Sequence, residues 1–394
     1  MFRSFGVLAL LLCLSACGSN TETERLRARQ LRDVPARRLA FTFQADVDQP
    51  SGLASEEATK LPAIQQDFDT RRKDEALLRT VVSPDGQRAL ALYGTAEEPS
   101  QTFRIDLYAA DGKFLRNLTP PDLDVVFQDS VVWSADNNFI AFVGRRSVRP
   151  QASPTPLEET EVLPSTSPLP SPTVMPAFAP LAVFNTEQVY LCNRDGYDLK
   201  PLTTREGLIY FALAWAPDSH ALAALACKES EWDAREKEFK TPAGRPRLIT
   251  LDGQERLLDD ALAEAPPVWS PDSAKVATAF GVDVGIYDAA GKAPTQARIA
   301  LRERLLTASA AFDEKSAGRK KAGESSNKTG ERQTNTSTET SLPVSFNPIV
   351  RVEWPVPEKL YIETAYISLR SELIKTFSRW HLLTLTPQAA VLGR

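Results

Sequence analysis

The chain has 394 residues, with 46 Lys or Arg against 51 Asp or Glu and a formal net charge of −5. This balance gives no basic surface of the kind that nucleic-acid-binding proteins carry. The two histidines, His220 and His381, with four cysteines and no C-x-x-C spacing, leave little from which to build a zinc or iron site. The composition therefore predicts no metal, no cofactor and no nucleic-acid partner, and the length suits one packed domain.

The first residues read as a targeting segment. Arg3 is followed by an apolar run over residues 7–14, which is too short to span a bilayer as a helix. The run ends in Leu-Ser-Ala-Cys, with small residues directly before Cys17, and this resembles the bacterial lipobox. The resemblance implies a lipoprotein signal peptide over residues 1–16 and a lipid on Cys17, with the protein held at the cell envelope on the outer side of the membrane. The alternative is an ordinary secretory signal cleaved near Ala16.

Residues 17–38 are predicted to be a lipidated, basic tether. Six arginines lie between residues 25 and 38: Arg25, Arg27, Arg29, Arg32, Arg37 and Arg38. Such a segment either rests on anionic headgroups or is a solvated, mobile linker. Residues 39–46 then alternate as a strand does, and we expect them to complete the domain from its N-terminal side.

A short motif recurs along residues 39–394. It reads Ser-Pro-Asp-Gly at 83–86, Ser-Ala-Asp-Asn at 134–137, Ala-Pro-Asp-Ser at 216–219 and Ser-Pro-Asp-Ser at 270–273, with a degenerate copy around Trp354. Each copy lies between two apolar segments, and Pro and Asp are residues that favour tight turns. A second pair of strands, often joined at Asp-Gly, follows most copies. The repeat predicts a fixed unit of four antiparallel strands, with the recurring Asp as a turn residue.

This pattern resembles the TolB-type "W-S-P-D-G" propeller repeat, which is also found in the propeller domains of prolyl-oligopeptidase-like peptidases. The resemblance implies an all-β fold, a single β-propeller of four-stranded antiparallel blades with five recognisable repeats, and leaves a sixth, degenerate one open. Two intervals between copies exceed the roughly 40–50 residues of a plain blade. Proline-rich residues 147–180 and polar residues 313–343 account for the excess, and both are predicted to be disordered insertions.

Candidate chemistry is scarce. No G-x-S-x-G nucleophile elbow occurs, and no catalytic residue is assigned. His220 is expected to be a surface turn residue and His381 a packed strand residue. Cys192 and Cys227 are predicted to be buried free thiols, with a disulfide as the alternative, since an extracytoplasmic compartment permits one.

Strand direction separates the connections into two sets, because antiparallel strands alternate between two faces. The tight turns lie on one face and the long connections, including residues 228–244, lie on the other. Loops on a rigid scaffold often carry function, so the second face is the predicted binding face. Trp232 and Phe239 are its candidate anchors, with packing against the sheet as the alternative.

The resulting hypothesis is a membrane-anchored envelope lipoprotein whose propeller is a non-enzymatic scaffold for a protein partner. The alternative is an envelope hydrolase or lyase with carboxylates at the mouth of a propeller channel.

Overall fold

The computed structural model describes residues 30–51, 53, 61–72, 75–95, 102–146, 186–238, 240–291, 294–324, 347–367 and 376–387. The predicted signal peptide, Cys17 and the insertion at 147–180 lie outside these residues. Within them, the fold is all-β with a few short helices, as the sequence predicts.

Four consecutive four-stranded antiparallel units follow one another along the chain. Unit 1 contains β2 (Glu75–Val82), β3 (Arg88–Thr95), β4 (Thr102–Ala109) and β5 (Phe114–Asn117), and unit 2 contains β7 (Val132–Trp133), β8 (Phe139–Arg146), β9 (Gln188–Asn193) and β10 (Lys200–Pro201). Unit 3 contains β11 (Leu208–Trp215), β12 (Ala221–Lys228), β13 (Arg245–Thr250) and β14 (Glu255–Leu257). Unit 4 contains β15 (Val268–Trp269), β16 (Lys275–Phe280), β17 (Asp283–Asp288) and β18 (Gln296–Ala300). A short strand, β6 (Leu123–Val126), pairs with both β4 and β8 and so joins units 1 and 2.

Unit 5 is built from both ends of the chain. Its strands β19 (Ile349–Val356), β20 (Lys359–Ile367) and β21 (Thr376–Pro387) are completed by β1 (Leu39–Val47), which pairs antiparallel with β21 from Leu39 opposite Pro387 onward. The N-terminal strand predicted from the alternation at residues 39–46 is therefore confirmed, and it forms the outer strand of the last unit.

The described residues include three α-helices beside the sheets. Helix α1 (Pro62–Arg71) precedes unit 1, α2 (Glu229–Lys237) connects β12 to β13, and α3 (Arg302–Glu324) follows unit 4. Ile64 and Phe68 of α1 pack against Leu77, Ala89 and Tyr93, so this helix covers the face of unit 1 that is turned away from unit 2.

The core lies between successive units. Each seam is filled by buried apolar side chains from the two sheets that face it. These include Leu90, Ile105, Trp133 and Ile140 between units 1 and 2; Val143, Val189, Tyr210 and Leu222 between units 2 and 3; Ala216, Leu248, Trp269 and Val276 between units 3 and 4; and Ile286, Val352, Leu360 and Leu383 between units 4 and 5. Burying each large side chain contributes roughly 1.5–3 kcal/mol, so the seams dominate stability.

The recurring aspartates are turn residues, as predicted. In unit 4, Asp272 Oδ1 accepts a hydrogen bond from Ser270 Oγ at 2.6 Å and another from the amide of Ala274 at 3.1 Å. The same pair of contacts recurs at Asp85 and Asp136, where Ser83 and Ser134 donate. The side chain thereby satisfies amide groups that the tight turn leaves unpaired.

These turns also hold neighbouring units together. The amide of Asp85 donates to Asn137 Oδ1 in the next unit, that of Asp136 to Ser219 Oγ, and that of Asp218 to Ser273 Oγ, all at 2.9–3.0 Å. The accepting residues have positive φ, near 60°. In units 2, 3 and 4, the fourth turn residue thus accepts a hydrogen bond from the unit before it. This contact requires a side-chain acceptor at the fourth position of the turn. The repeat has Asn or Ser there in units 2, 3 and 4, but the sequence alone does not indicate that this residue contacts the preceding unit.

Two predicted flexible segments differ from expectation. Residues 313–324, assigned to a disordered insertion, belong to α3, and Asp313 is buried; residues 325–346 lie outside the described part of the chain. Residues 31–38, assigned to the tether, form two 3₁₀ turns in which Leu31, Val34 and Ala36 are buried against the protein. Leu31 and Ala36 pack into the apolar cluster between units 4 and 5, as does Leu305 of α3, so an existing apolar surface orders elements that their polar composition does not predict.

Candidate functional site

Helix α2 forms the connection in which the sequence places its binding anchors. The carboxylate of Glu231 accepts a hydrogen bond from the amide of Lys228 at 2.9 Å, which satisfies one of the free amides at the helix start. Arg245 of β13 forms two hydrogen bonds to the same carboxylate, at 2.7 and 2.9 Å. These bonds from Arg245 hold the pKa of Glu231 down to about 2, so the contact that fixes α2 to the sheet is ionised at neutral pH.

Trp232 packs toward the protein. Its ring lies 5.2 Å from the ring of Phe127 and 5.5 Å from that of Phe211, both measured between centroids. The side chain is half-buried, so Trp232 packs against the sheet, as the alternative interpretation of this residue predicts. Phe239, the second predicted anchor, lies outside the described residues.

The exposed part of Trp232 lines a small cleft. The cleft has a volume of about 170 Å³ and is completed by Arg235, Glu236, Lys240, Pro242 and Ala243. Arg235 is held in place by hydrogen bonds to the carbonyl oxygen of Thr241 at 2.7 Å and to Glu264 at 2.6 Å. Lys240 is exposed and pairs with Glu238. The cleft therefore combines an aromatic wall with a fixed guanidinium and an exposed ammonium group.

A larger cleft lies on unit 1, beside α1. It has a volume of about 430 Å³, and its lining combines charged residues of α1, β2 and β4 with Phe114 and Asn117. Arg104 forms two hydrogen bonds to Glu75, at 2.7 and 3.0 Å, and two to Asp106, both at 3.1 Å. Arg72 donates to Asp106 at 2.7 Å and lies over the ring of Tyr93 at 4.7 Å. Sequence analysis did not find this cluster, because its members are separated along the chain and follow no motif.

The carboxylates of Glu75 and Asp106 in this second cleft form ion pairs with Arg72 and Arg104. Burial alone would raise the pKa of Glu75, but the hydrogen bonds and charge of Arg104, with Arg72 beside it, outweigh burial and lower that pKa. A glycosidase-type general acid requires a carboxyl group whose pKa is raised. Glu75 has the opposite character, so the cluster is a charge network that fixes α1 to the sheet rather than an acid–base pair.

The histidines and thiols occupy the environments that the sequence predicts. His220 is an exposed turn residue, and His381 is fully buried, with Nε2 at 3.0 Å from Thr364 Oγ1 and Nδ1 accepting from the amide of Asp46. Burial lowers the pKa of His381 to about 4. Cys192 and Cys227 are buried free thiols, and burial raises the pKa of each to about 12, which makes both poor nucleophiles.

A metal-binding cluster and a membrane-spanning helix are both absent from the described residues. Among them, no group of three or more His, Cys, Asp or Glu side chains is arranged to hold a metal ion. None of the helices in the described ranges has the length and hydrophobicity that crossing a bilayer requires.

Comparison with known proteins gives fold-level similarity only. No protein-family model matches the chain, and no curated protein matches it. Similar solved structures include one from a study of two prolyl endopeptidases (12% identity, TM-score 0.41, 88% of this chain and 39% of that chain) and an oligogalacturonate lyase from Vibrio parahaemolyticus (8% identity, TM-score 0.36, 79% and 66%). A nidogen/laminin complex is also similar (9% identity, TM-score 0.32, 80% and 86%).

The chain thus spans well under half of the prolyl endopeptidase and just under two thirds of the lyase. The lyase and the nidogen/laminin structure are propeller-type folds. At these identities and TM-scores the similarity carries no information about activity, and the propeller-like character rests on the strand topology of the chain itself.

Proposed function

We propose that this protein is a lipid-anchored protein of the bacterial cell envelope whose propeller is a non-enzymatic scaffold, and that it binds a protein partner through the surface around α2. The observation that supports the binding surface most directly is the Trp232 cleft. It lies on the connection between β12 and β13, and thus on the face opposite the repeated tight turns.

The scaffold part of the proposal is a TolB-like propeller in which units 1–5 are blades around one axis. It is supported by the order of strands within each unit and by the hydrogen bonds that link successive turns. The completion of unit 5 by β1 is the kind of closure that removes a free end from such an array. A rigid array of this type holds α2 at a fixed position, which favours binding with little loss of conformational entropy.

The chemistry of the cleft indicates the kind of partner segment. Trp232 offers apolar contact area, and aromatic residues dominate binding energy at protein interfaces. Arg235 is oriented before binding, and Lys240 stands at the rim with its ammonium group exposed. The arrangement fits a partner segment with a small apolar side chain next to a carboxylate.

The experiment is site-specific photo-crosslinking in cells. A photoreactive phenylalanine derivative replaces Lys240 at the cleft, and in a matched protein it replaces Lys113, an exposed lysine in a tight turn on the opposite face. The proposal expects a discrete crosslinked species from position 240 that is absent from position 113. An excess of unlabelled parent protein should suppress this species, whereas a Lys240→Glu competitor, which replaces the cation with a carboxylate, should suppress it less. Equal crosslinking from both positions, or none from position 240, would contradict it.

A further inference from the structure

The four complete tight turns define one equivalent position at the start of the second strand. In each turn, the first residue donates its amide to the carbonyl oxygen five residues later, at 2.8–2.9 Å. The carbonyl groups belong to Arg88 in unit 1, Phe139 in unit 2, Ala221 in unit 3 and Lys275 in unit 4. The backbone is therefore the same at all four positions, and only the side chain differs.

Three of these side chains occupy the seam beside their unit. Arg88 reaches Asp195 of unit 2, with 3.4 Å between the guanidinium and the carboxylate. Phe139 stacks on Trp215 of unit 3, with centroids 6.3 Å apart and planes inclined by 19°. Lys275 is buried and pairs with Asp288 at 2.7 Å.

Ala221 has no side chain that could do the same. Beside it, between units 3 and 4, lies a groove of about 380 Å³. Its apolar wall includes Trp269, Leu248 and Ala289, and Trp269 is the residue of unit 4 that corresponds to Trp215 of unit 3. The groove thus lies where unit 2 places an aromatic ring against the tryptophan of the next unit.

The charges at the groove narrow the choice of occupant. Arg256 lines the groove, but its guanidinium is engaged by the carbonyl oxygens of Asp288 at 3.0 Å and Ala289 at 2.7 Å. The carboxylate of Glu255 is paired with Arg205 and Arg247. Asp218 lies on the rim with its side chain 52% exposed, and the imidazole of His220 lies 3.7 Å from its carboxylate. An exposed carboxylate beside an apolar slot is complementary to a cation carried next to an apolar group.

We infer that this groove is a binding site for an aromatic ring carried beside a cationic group, with the ring against the accessible part of Trp269, at the position where Phe139 meets Trp215 in the preceding seam, and the cation near Asp218. It lies on the face of the tight turns, so it is distinct from the Trp232 surface and does not depend on the function proposed for that surface.

The test uses the full chain in lipid nanodiscs, with empty nanodiscs as the blank, and two fluorinated probes followed by ¹⁹F NMR. The first probe is 4-fluorophenethylamine, which carries the cation, and the second is N-acetyl-4-fluorophenylalanine amide, which is neutral. We expect both to bind and the cationic probe to bind more tightly. Ala221→Phe supplies the ring that unit 2 carries and should weaken binding of both probes at least tenfold without lowering the melting temperature.

Three further variants keep the inference falsifiable. Asp218→Asn keeps the turn acceptor and should remove only the preference for the cationic probe, while Phe139→Ala should open the preceding seam and add a second binding site. Ala110→Phe, in an exposed turn, should leave binding unchanged. Unaltered probe binding in Ala221→Phe would overturn the inference. If that variant does not fold, the other two variants decide: an unchanged preference for the cationic probe in Asp218→Asn, together with a single binding site in Phe139→Ala, would overturn the inference. A concentration-dependent dimer abolished by Ala221→Phe would also overturn it, because a second copy would then be the occupant.

Discussion

The backbone amide of Ala36 donates to the carboxylate of Asp288, 3.1 Å from each oxygen, and so fixes the segment before β1 to unit 4. The same carboxylate accepts from Lys275 Nζ and from the amide of Thr295. Leu31 and Ala36 pack into the apolar seam between units 4 and 5. Within the described residues, this seam has no counterpart of the turn-to-turn hydrogen bonds of the earlier seams. The turn of the degenerate copy is shorter, with Val356 paired to Lys359 around Pro357 and Glu358, and Trp354 donates within its own turn, to the carbonyl oxygen of Pro357. The N-terminal segment takes over part of that role.

We predict that Asp288→Asn destabilises the protein by roughly 3 kcal/mol, because it leaves the ammonium group of buried Lys275 without its counter-ion. Chemical denaturation measures the change. Asp283→Asn on the same strand breaks a more exposed pair with Arg298 and should cost less than about 1 kcal/mol. Equal losses in the two variants would show that Asp288 has no special structural role.

Asp272→Ala should lower the free energy of unfolding by about 1 kcal/mol or somewhat more, because Ser270 Oγ and the amide of Ala274 lose their acceptor. Asp272→Asn retains an acceptor oxygen and should recover most of the loss in the same thermal melt. A variant with alanine that melts like the parent would contradict the assigned turn role.

Trp232→Ala should cost roughly 1–3 kcal/mol of stability, since the ring packs against Phe127 and Phe211. An aromatic residue in an exposed loop would instead cost little stability when replaced by alanine. Trp232→Phe keeps much of the contact and serves as the control, with both variants measured by urea denaturation. Parent-like stability of Trp232→Ala would restore the interpretation as a free surface anchor.

Stability should fall as the pH drops from about 6.5 toward 4, because burial lowers the pKa of His381 to about 4. In this pH range the unfolded chain binds a proton on His381 that the folded protein does not bind. His381 therefore contributes up to about 3 kcal/mol to the free energy of unfolding above its unfolded pKa of about 6.5, and this contribution is lost as the pH falls toward 4. His381→Gln should flatten this part of the profile, whereas His220→Gln, at an exposed position, should leave it unchanged. Equilibrium unfolding across this pH window measures the difference.

Cys17→Ser should abolish lipid attachment and release the protein from membranes on fractionation. Labelling of cells with a palmitate analogue, followed by sedimentation, measures both effects. Ser15→Ala, which keeps a small residue before the cysteine, is the control and should remain labelled. A Cys17→Ser protein that still labels and sediments with membranes would show that the lipobox interpretation is wrong.

The repeated turn made the fold predictable, because Pro and Asp act locally and mark every strand pair independently. The sequence therefore predicts the four-stranded units, the strand at 39–46 and the burial of Cys192 and Cys227. What it misses depends on contacts distant in the chain. Helix α3 and residues 31–38 become ordered by packing on surfaces that other units provide, and polarity alone does not reveal this.

The candidate sites follow the same division. The sequence singles out Trp232 because an aromatic residue stands among charges, but only the structure shows that the ring is shared between a cleft and the core. The groove beside Ala221 is visible only when the four turns are superimposed through their hydrogen bonds. An alanine in an apolar strand does not by itself indicate a groove. Ala221 is informative only when it is compared with the larger side chains at the equivalent positions of the other units.

The pairing of β1 with β21 also sets an order of events during synthesis. Of the strands in the described residues, the first to be made is the outer strand of unit 5, and its partner is the last to be made. Asp46 and Arg379, which form two hydrogen bonds across this sheet, are 333 residues apart in the chain. Contacts of such separation form slowly. A ribosome stalled before residue 376 would therefore hold a chain whose first four units can fold, while its N-terminal strand remains without a partner and open to chaperones and proteases.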